Sequence, residues 1–512
     1  MSTLLLISFL FVFVFVFLLI RIYKSRNPNK LPPSPPSLPL IGHLHLLSGL
    51  PHRVLLRLSR LHGPFLLLRL PQPTLLLSSA AAARRLFASH DIAFSSRPFS
   101  STAAKLTYDS RNVSFSPYGD YWRHARKITV SRLLAPSRVA AFRSVRSEEV
   151  AALLGRICAA AGGGELINLS EELFAYTNRV VSISAAGKRD GTAEGFREMM
   201  AEELAILSGF HLEEVYPALG KILGKLTGRD GKVEAIARKW DGFISTILEE
   251  HEEKARKKEK QSEEEDFVDV LLAIRRDRTA EIQLSEDDVK SILLDIIAAA
   301  TVTTYVTIEW TMAELIRSPR SMKKVQNEIA EIGAGKVTIA EDDTNQANYL
   351  KAVIKEALRL HPPGPLLLPR ESTTNVSFQG YEIPARTQLI INAWAIGRDS
   401  ETWEEAEEFK PERFVGSPID FRGNDFEVIP FGVGRRMCPG IQYAMATIEL
   451  ALANLLYHFS WALPDGMGVE DFDMEEAAGL TTPPRRYLFI LLPFLNQIHF
   501  DQDCNIILTT VL

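Results

Sequence analysis

The sequence predicts a mainly α-helical body with a minor β component, behind a single N-terminal transmembrane helix. Helical patterns dominate the middle of the chain, and one of them is apolar or small almost all round from Leu293 to Thr304. Short apolar runs that read as strands occur early, at Phe65 to Leu70 and Thr74 to Ser78, and late, at Thr387 to Ala393 and Tyr487 to Leu492. An almost unbroken apolar run from Leu4 to Ile20 precedes all of these, near the lower length limit for crossing a bilayer.

Arg21, Lys24, Arg26 and Lys30 follow that run at once, so the positive-inside rule places the remaining chain in the cytosol. A cleaved signal would carry its basic residues before the apolar run and a small-residue cleavage site after it. The stretch from Leu31 to Gly42 holds five prolines and reads as an extended, semi-rigid spacer. The expected organisation is therefore 1–27 as anchor and basic flank, 28–42 as proline-rich hinge, and 43–512 as one body. A net charge of -5 gives no reason to expect nucleic-acid binding. Three cysteines (Cys158, Cys438, Cys504) cannot build a disulfide framework, which suits a reducing, cytosol-facing environment. The stretch His251 to Asp266 is nearly all charged with mixed signs and reads as a solvated helix end or loop.

Ser285 with Asp288 has the form of a capping box, and apolar positions continue from there to Ile316, just before Pro319. This helix is expected to cross the core. A second helix, about Tyr349 to Leu360, ends at His361-Pro-Pro, where His361 reads as a cap or packing residue. A third follows Gly440 and runs to about Tyr457.

The strongest chemical signal is Pro430-Phe-Gly-Val-Gly-Arg-Arg-Met-Cys-Pro-Gly440. Glycines before a lone cysteine let backbone approach a ligand closely, and the proline and glycine after it lead into a helix. That arrangement aims backbone N–H groups at the sulfur and favours a thiolate. Phe431-x-x-Gly434-x-Arg436-x-Cys438-x-Gly440 resembles the haem-binding loop of the cytochrome P450 superfamily at every position. The resemblance covers essentially the whole chain and is strongest to plant A-type enzymes of specialised metabolism, family 71 in particular. It implies the haem-thiolate fold and haem b (iron protoporphyrin IX), with Cys438 as the axial iron ligand, Arg436 at a haem propionate and Phe431 beside the thiolate.

Further residues match the same family. Glu356 and Arg359 match its ExxR pair, and Arg413 in Pro411-Glu-Arg-Phe414 matches the third member of a structural network. Trp122 and Arg126 match the helix that hydrogen-bonds the propionates, and Arg370 resembles another propionate contact. By resemblance the substrate pocket includes the loop around Ser100 to Phe115, Leu204 to Phe210, Ala298 to Thr303, Gly364 to Leu368 and Gly479 to Thr482. Ala299, Leu367 and Leu480 are its candidate contacts. With no clear charged anchor among these segments, the expected substrate is an apolar or phenolic small molecule.

The central helix departs from the family. Thr303 stands at the oxygen-side alcohol, but Ala300 replaces the usual glycine and Val302 the usual acid. Monooxygenation consumes two protons, and valine transfers none. The expectation is a weakened or rerouted proton supply through Thr301, Thr303, Thr304 and water, with an outcome shifted toward coupling, desaturation, ring formation or rearrangement; the equal alternative is ordinary hydroxylation with a proton path supplied by the substrate or by water. The resemblance further implies dioxygen as substrate, NADPH electrons through NADPH–cytochrome P450 reductase, cytochrome b5 as a further partner, and an endoplasmic-reticulum membrane location. Arg435, Arg123 and Lys127 are candidates for the reductase docking face. Two rival readings are a reductase-independent haem-thiolate isomerase or dehydratase, which the missing acid favours and Thr303 disfavours, and a non-catalytic haem- or lipid-binding membrane protein.

Overall fold

The computed structural model describes residues 12–16, 31–38, 41–162, 166–187, 193–208, 220, 224–225, 227–257, 265–279, 282–461, 463, 468–485 and 489–490. Most of the expected anchor lies outside these residues. Val12 to Val16 are helical and exposed. Cys504 and the tail after Leu492 also lie outside the described residues.

The chain divides into two units, the first formed by residues 1–98 with 369–392 and the second by 99–368 with 393–512. In the first unit, α1 (Pro51–His62) precedes β1 (Phe65–Leu68) and β2 (Thr74–Leu77), and α2 (Ala80–His90) follows. Later chain adds β3 (Arg370–Glu371), the hairpin of β4 (Val376–Phe378) and β5 (Tyr381–Ile383), and β6 (Gln388–Ile391). The four-stranded sheet has the order β1-β2-β6-β3. β2 and β6 run parallel with Thr74 opposite Gln388, and the other pairs are antiparallel. Every residue of β1 and β2 is buried, which is why these strands read as continuous apolar runs instead of alternating ones.

The proline-rich segment is more than a spacer. Leu67 N donates to Pro33 O at 2.7 Å. His43 accepts from Arg69 N at Nδ1 and donates from Nε2 to Pro35 O. Gly42, at φ +57°, lies so close to Arg69 O that any side chain there would collide with it. Prolines leave their carbonyls without an intrasegment partner, and the edge of β1 supplies one.

In the second unit, α3 (Ser101–Leu106), α4 (Asp120–Ile128), α5 (Arg143–Gly162), α6 (Leu169–Ala186), α7 (Ala193–Leu207), α8 (Arg229–Lys257) and α9 (Phe267–Arg276) lead to the long α10 (Glu286–Arg317). α11 (Pro319–Ile332), α12 (Asn348–Leu360) and α13 (Ile441–His458) follow. The capping box at Ser285 and Asp288 is present. α10 has the length and apolarity of a membrane span, but Ile292, Leu293, Val306, Ile308 and Met312 bury it among the other helices, so it is the core helix its all-round apolarity predicts.

The charged run from His251 to Asp266 departs from the expectation of a solvated segment at its two ends. His251 and Asp266 are both buried, and His251 Nε2 meets Asp266 Oδ2 at 2.8 Å. Asp266 also accepts from Asp269 N as the N-cap of α9. Composition marks this run as solvated, but a hydrogen bond between the two satisfies both ends inside the fold.

Candidate active site

Cys438 lies in a loop that folds back on itself. Met437 N donates to Gly434 O, and Cys438 N donates to Phe431 O at 2.9 Å. Gly432 and Gly434 sit at φ +73° and +61°, in the left-handed region where only glycine is free of strain. Phe431 packs on Phe421 with ring centroids 5.1 Å apart. The loop delivers Cys438 to the start of α13, whose N-cap is Gly440, and Gly440 N donates to Sγ at 3.4 Å. Burial pushes the thiol up; the Gly440 N–H and the Arg126 guanidinium pull it down without overcoming that, and Asp295 opposes them. In the protein alone, burial thus works against the thiolate that the loop's N–H groups were expected to favour.

The residues fit an iron porphyrin. Cys438 keeps part of its surface open. In the middle of the otherwise buried α10, Ala299 is exposed, and Asp295, Ala298, Ala300 and Thr303 are half-buried around it. A single soft sulfur suits a group that brings its remaining iron ligands with it. Leu367, at φ +53°, sends Cδ1 to within 3.8 Å of where a methyl on Gly432 would stand. A leucine in this conformation stores strain of the kind found at ligand sites.

The basic and indole groups share one loop. Trp122 Nε1 donates to Val113 O at 3.0 Å. Arg436 donates to Val113 O and Ser116 O and stacks over the Trp122 ring at 4.1 Å. Asp295 accepts from Asn112 Nδ2, Val113 N and Ser114 N, so three elements pin residues 112–116. Arg126 donates to Met437 O. Arg370 belongs to the first unit, where it is buried against Phe87 and paired with Asp91 at 3.5 Å; burial draws its pKa down to about 10.

Glu356 is fully buried and is the hub of the predicted network. It accepts from Arg359 Nε at 2.7 Å and Nη2 at 2.8 Å, from Lys410 N at 2.8 Å and from Arg413 Nε at 3.3 Å. Arg359 also donates to the carbonyls of Gly397, Ala406 and Glu408. One ion pair thereby ties α12 to the chain that leads into the cysteine loop.

On α10, Thr303 donates to Ala299 O at 2.7 Å and Thr301 to Ile297 O at 2.8 Å. The buried Thr304 hydroxyl has no partner among the described residues, and Val302 is buried. The Leu480 loop is tied to the same helix. Trp310 Nε1 donates to Thr482 O at 2.8 Å, and Thr482 N donates to Pro363 O at 3.1 Å. His361 stacks on Trp310 at 4.0 Å and meets Glu314 at 2.7 Å, a packing role in keeping with its place at the end of α12.

The sequence model of the cytochrome P450 family matches residues 32–491. The chain belongs to that family. It is 46% identical over 465 residues to cytochrome P450 71A9 of Glycine max, covering 90% of this chain and 92% of that protein. Norfluorocurarine oxidase of a Strychnos species is 45% identical over 476 residues (90% and 92%), and desmethyl-deoxy-podophyllotoxin synthase of Sinopodophyllum hexandrum is 39% identical over 475 (92% and 93%). A zebra fish cytochrome P450 structure with progesterone shares the fold, with a TM-score of 0.73 at 24% identity, covering 86% of this chain and 99% of that one. The chain is thus a monooxygenase-type oxidoreductase, similar to the plant family 71 cytochromes P450, and its family uses haem and dioxygen.

Sequence reasoning missed three structural features of this P450. Asp295 has no part in the motifs of the sequence, yet it organises the 112–114 loop. Trp310 has no part in them either, yet it holds Thr482. Glu203, adjacent to the expected Leu204 to Phe210 pocket segment, is a buried carboxyl where no charged anchor was expected. Its signal was an acid at 3/4 spacing within the apolar face of Phe196, Met199, Met200 and Ile206.

Proposed function

We propose that this P450 is a membrane-anchored monooxygenase of plant specialised metabolism that oxidises an apolar or phenolic small molecule. Its electrons come from NADPH through NADPH–cytochrome P450 reductase, with cytochrome b5 as an additional donor. The observation that carries the reading is the half-buried Cys438, whose Sγ accepts from Gly440 N in a glycine-bearing loop at the start of α13. The apolar run before Arg21 supports an endoplasmic-reticulum anchor with the body in the cytosol. Exposed Arg123, Lys127 and Arg435 support an acidic redox partner.

Haem b, when bound, supplies dioxygen activation. Cys438 is its iron ligand in this reading. Arg126, Trp122 and Arg436 are the groups for the propionates. Glu356, Arg359 and Arg413 hold the chain below. Ala299, Leu367 and Leu480 present apolar surface to the substrate and exclude water. Thr303 holds a proton at Oγ1. Val302 cannot relay one, and the unpartnered Thr304 hydroxyl supports a rerouted supply through the α10 hydroxyls. This favours products of coupling, desaturation, ring formation or rearrangement over simple hydroxylation.

The reduced carbon-monoxide difference spectrum tests the assignment. The expected result is a thiolate-type Soret band that Cys438→Ser abolishes together with turnover. A band unchanged in that variant refutes the ligand. Turnover without NADPH and reductase refutes the monooxygenase reading in favour of the isomerase or dehydratase.

A further inference from the structure

Three side chains meet where the end of α8 packs on the start of α9. His251, near the end of α8, and Asp266, the N-cap of α9, are each 6% exposed. Asp269, in the first turn of α9, is half-buried beside them. One ligand atom from each residue, a ring nitrogen and two carboxylate oxygens, lies within 4.8 Å of the other two.

The partners of the imidazole fix where its hydrogen sits. Nδ1 lies 2.8 Å from Ile247 O, a carbonyl that can only accept, so Nδ1 carries the hydrogen. This is the arrangement that orients a metal-binding histidine: one nitrogen donates to backbone and the other is left free to ligate. In the neutral ring Nε2 then has a bare lone pair, and it faces Asp266 Oδ2 at 2.8 Å. Two acceptors repel at that distance unless a cation stands with them, either a second ring proton or a metal ion. Asp266 divides its oxygens to match. Oδ1 accepts from Asp269 N at 2.9 Å as the cap of α9, and Oδ2 faces the histidine.

Asp269 decides between the two cations. Among the described residues no lysine or arginine pairs with it. A ring proton would leave one imidazolium facing two carboxylates, still a negative group and mostly buried. A divalent ion held by a neutral imidazole and two carboxylates leaves no charge over. The C-terminus of α6 adds to the demand for a cation. Its C-cap, Gly187, comes so close that a methyl there would stand 3.1 Å from Asp266 Oδ2. Neighbouring charges are engaged elsewhere: Glu265 meets Arg138 at 3.2 Å, and Arg275 meets Glu252 at 3.5 Å.

We propose that His251, Asp266 and Asp269 form a binding site for a divalent metal ion of the zinc class. Nε2 and one oxygen of each carboxylate are the protein ligands, and water completes the shell. A nitrogen among the ligands selects zinc over magnesium and calcium, which take oxygen. The ion clips the end of α8 to the start of α9, joining residues 15 apart in the chain. This site is separate from the cysteine loop and does not depend on how that loop is read.

The test uses full-length holoenzyme, purified without a polyhistidine tag and treated with a chelator that leaves the haem in place. The protein is dialysed against micromolar free zinc, and bound zinc is counted against iron by elemental analysis. The expected result is about one zinc per iron. Zinc X-ray absorption of the wild type should show nitrogen and oxygen ligands without sulfur; this arm does not depend on any variant folding. Asp269→Asn keeps the backbone cap and the His251–Asp266 contact but should weaken zinc binding at least about tenfold, and His251→Gln should weaken it further. Zinc should also slow amide exchange at the end of α8 and the start of α9. A wild type that retains no zinc, the result expected if the group holds only a proton, overturns the proposal. So does zinc held equally well by wild type and both variants, which places it on surface histidines. A sulfur shell around the zinc places it at a cysteine and overturns the proposal as well.

Discussion

Replacing Glu356 with glutamine removes one negative charge from a fully buried site while keeping its shape. In the wild type its carboxylate accepts from Arg359 at two nitrogens, from Arg413 Nε and from Lys410 N. Glutamine keeps one acceptor oxygen and turns an NH2 toward guanidinium donors. Arg359, 1% exposed, then becomes a buried cation with no carboxylate partner, only one amide oxygen and the carbonyls of Gly397, Ala406 and Glu408. Breaking a buried pair from one side costs about 3–5 kcal/mol, and no solvent reaches either side chain to screen the loss. The variant should lose about that much stability in urea unfolding followed by tryptophan fluorescence. Haem should leave it faster, because the same pair ties α12 to the segment before the cysteine loop. Removing both charges, with Glu356→Leu and Arg359→Met together, should cost less than the sum of the two single variants. A glutamine variant within about 1 kcal/mol of wild type would refute the argument that this pair holds the proximal segment.

Glu203 makes stability depend on pH. The folded chain keeps its proton to about 8, whereas the unfolded chain releases it near 4.5. Stability therefore falls as pH rises between those values, by at most about 1.4 kcal/mol per unit; thermal unfolding of Glu203→Gln should show a flatter profile from pH 5 to 8. Trp310→Phe keeps the stack on His361 but leaves the Thr482 carbonyl unpaired, at a cost of about 1–3 kcal/mol. Amides of residues 476–484 should exchange hydrogen about tenfold faster with the carbon-monoxide band unchanged, and unaltered exchange would remove Trp310 as the clamp. At Gly397 a methyl would stand 2.3 Å from Arg359 O, so Gly397→Ala should destabilise by about 1–3 kcal/mol in the same urea assay. Val302→Asp restores a proton donor beside Thr303 and should change both product ratio and peroxide release; identical values would show that the wild-type proton path does not pass this position.

Much of this protein was legible from local pattern. An eleven-residue loop states its chemistry in order because its contacts are local: glycines for left-handed turns, cysteine, then a helix cap. The capping box at Ser285 and the all-round apolarity of α10 likewise announced a core helix, since capping and hydrophobic burial follow from short-range sequence. Glu356 and Arg359 sit on one helix, and their spacing alone made them neighbours. What lay beyond the sequence were pairings between distant segments. His251 and Asp266 looked solvated until the fold closed them into a buried hydrogen-bonded pair, and the proline-rich segment looked like a spacer until Leu67 of β1 and the His43 ring supplied donors for its carbonyls. Trp122 and Arg436 bond the loop at Val113, and Trp310 reaches Thr482. Local sequence determined what each segment is, because propensity, capping and burial are short-ranged. Tertiary structure alone decided which polar groups meet, because partners beyond the reach of one helical turn, up to 323 residues apart, are chosen by packing.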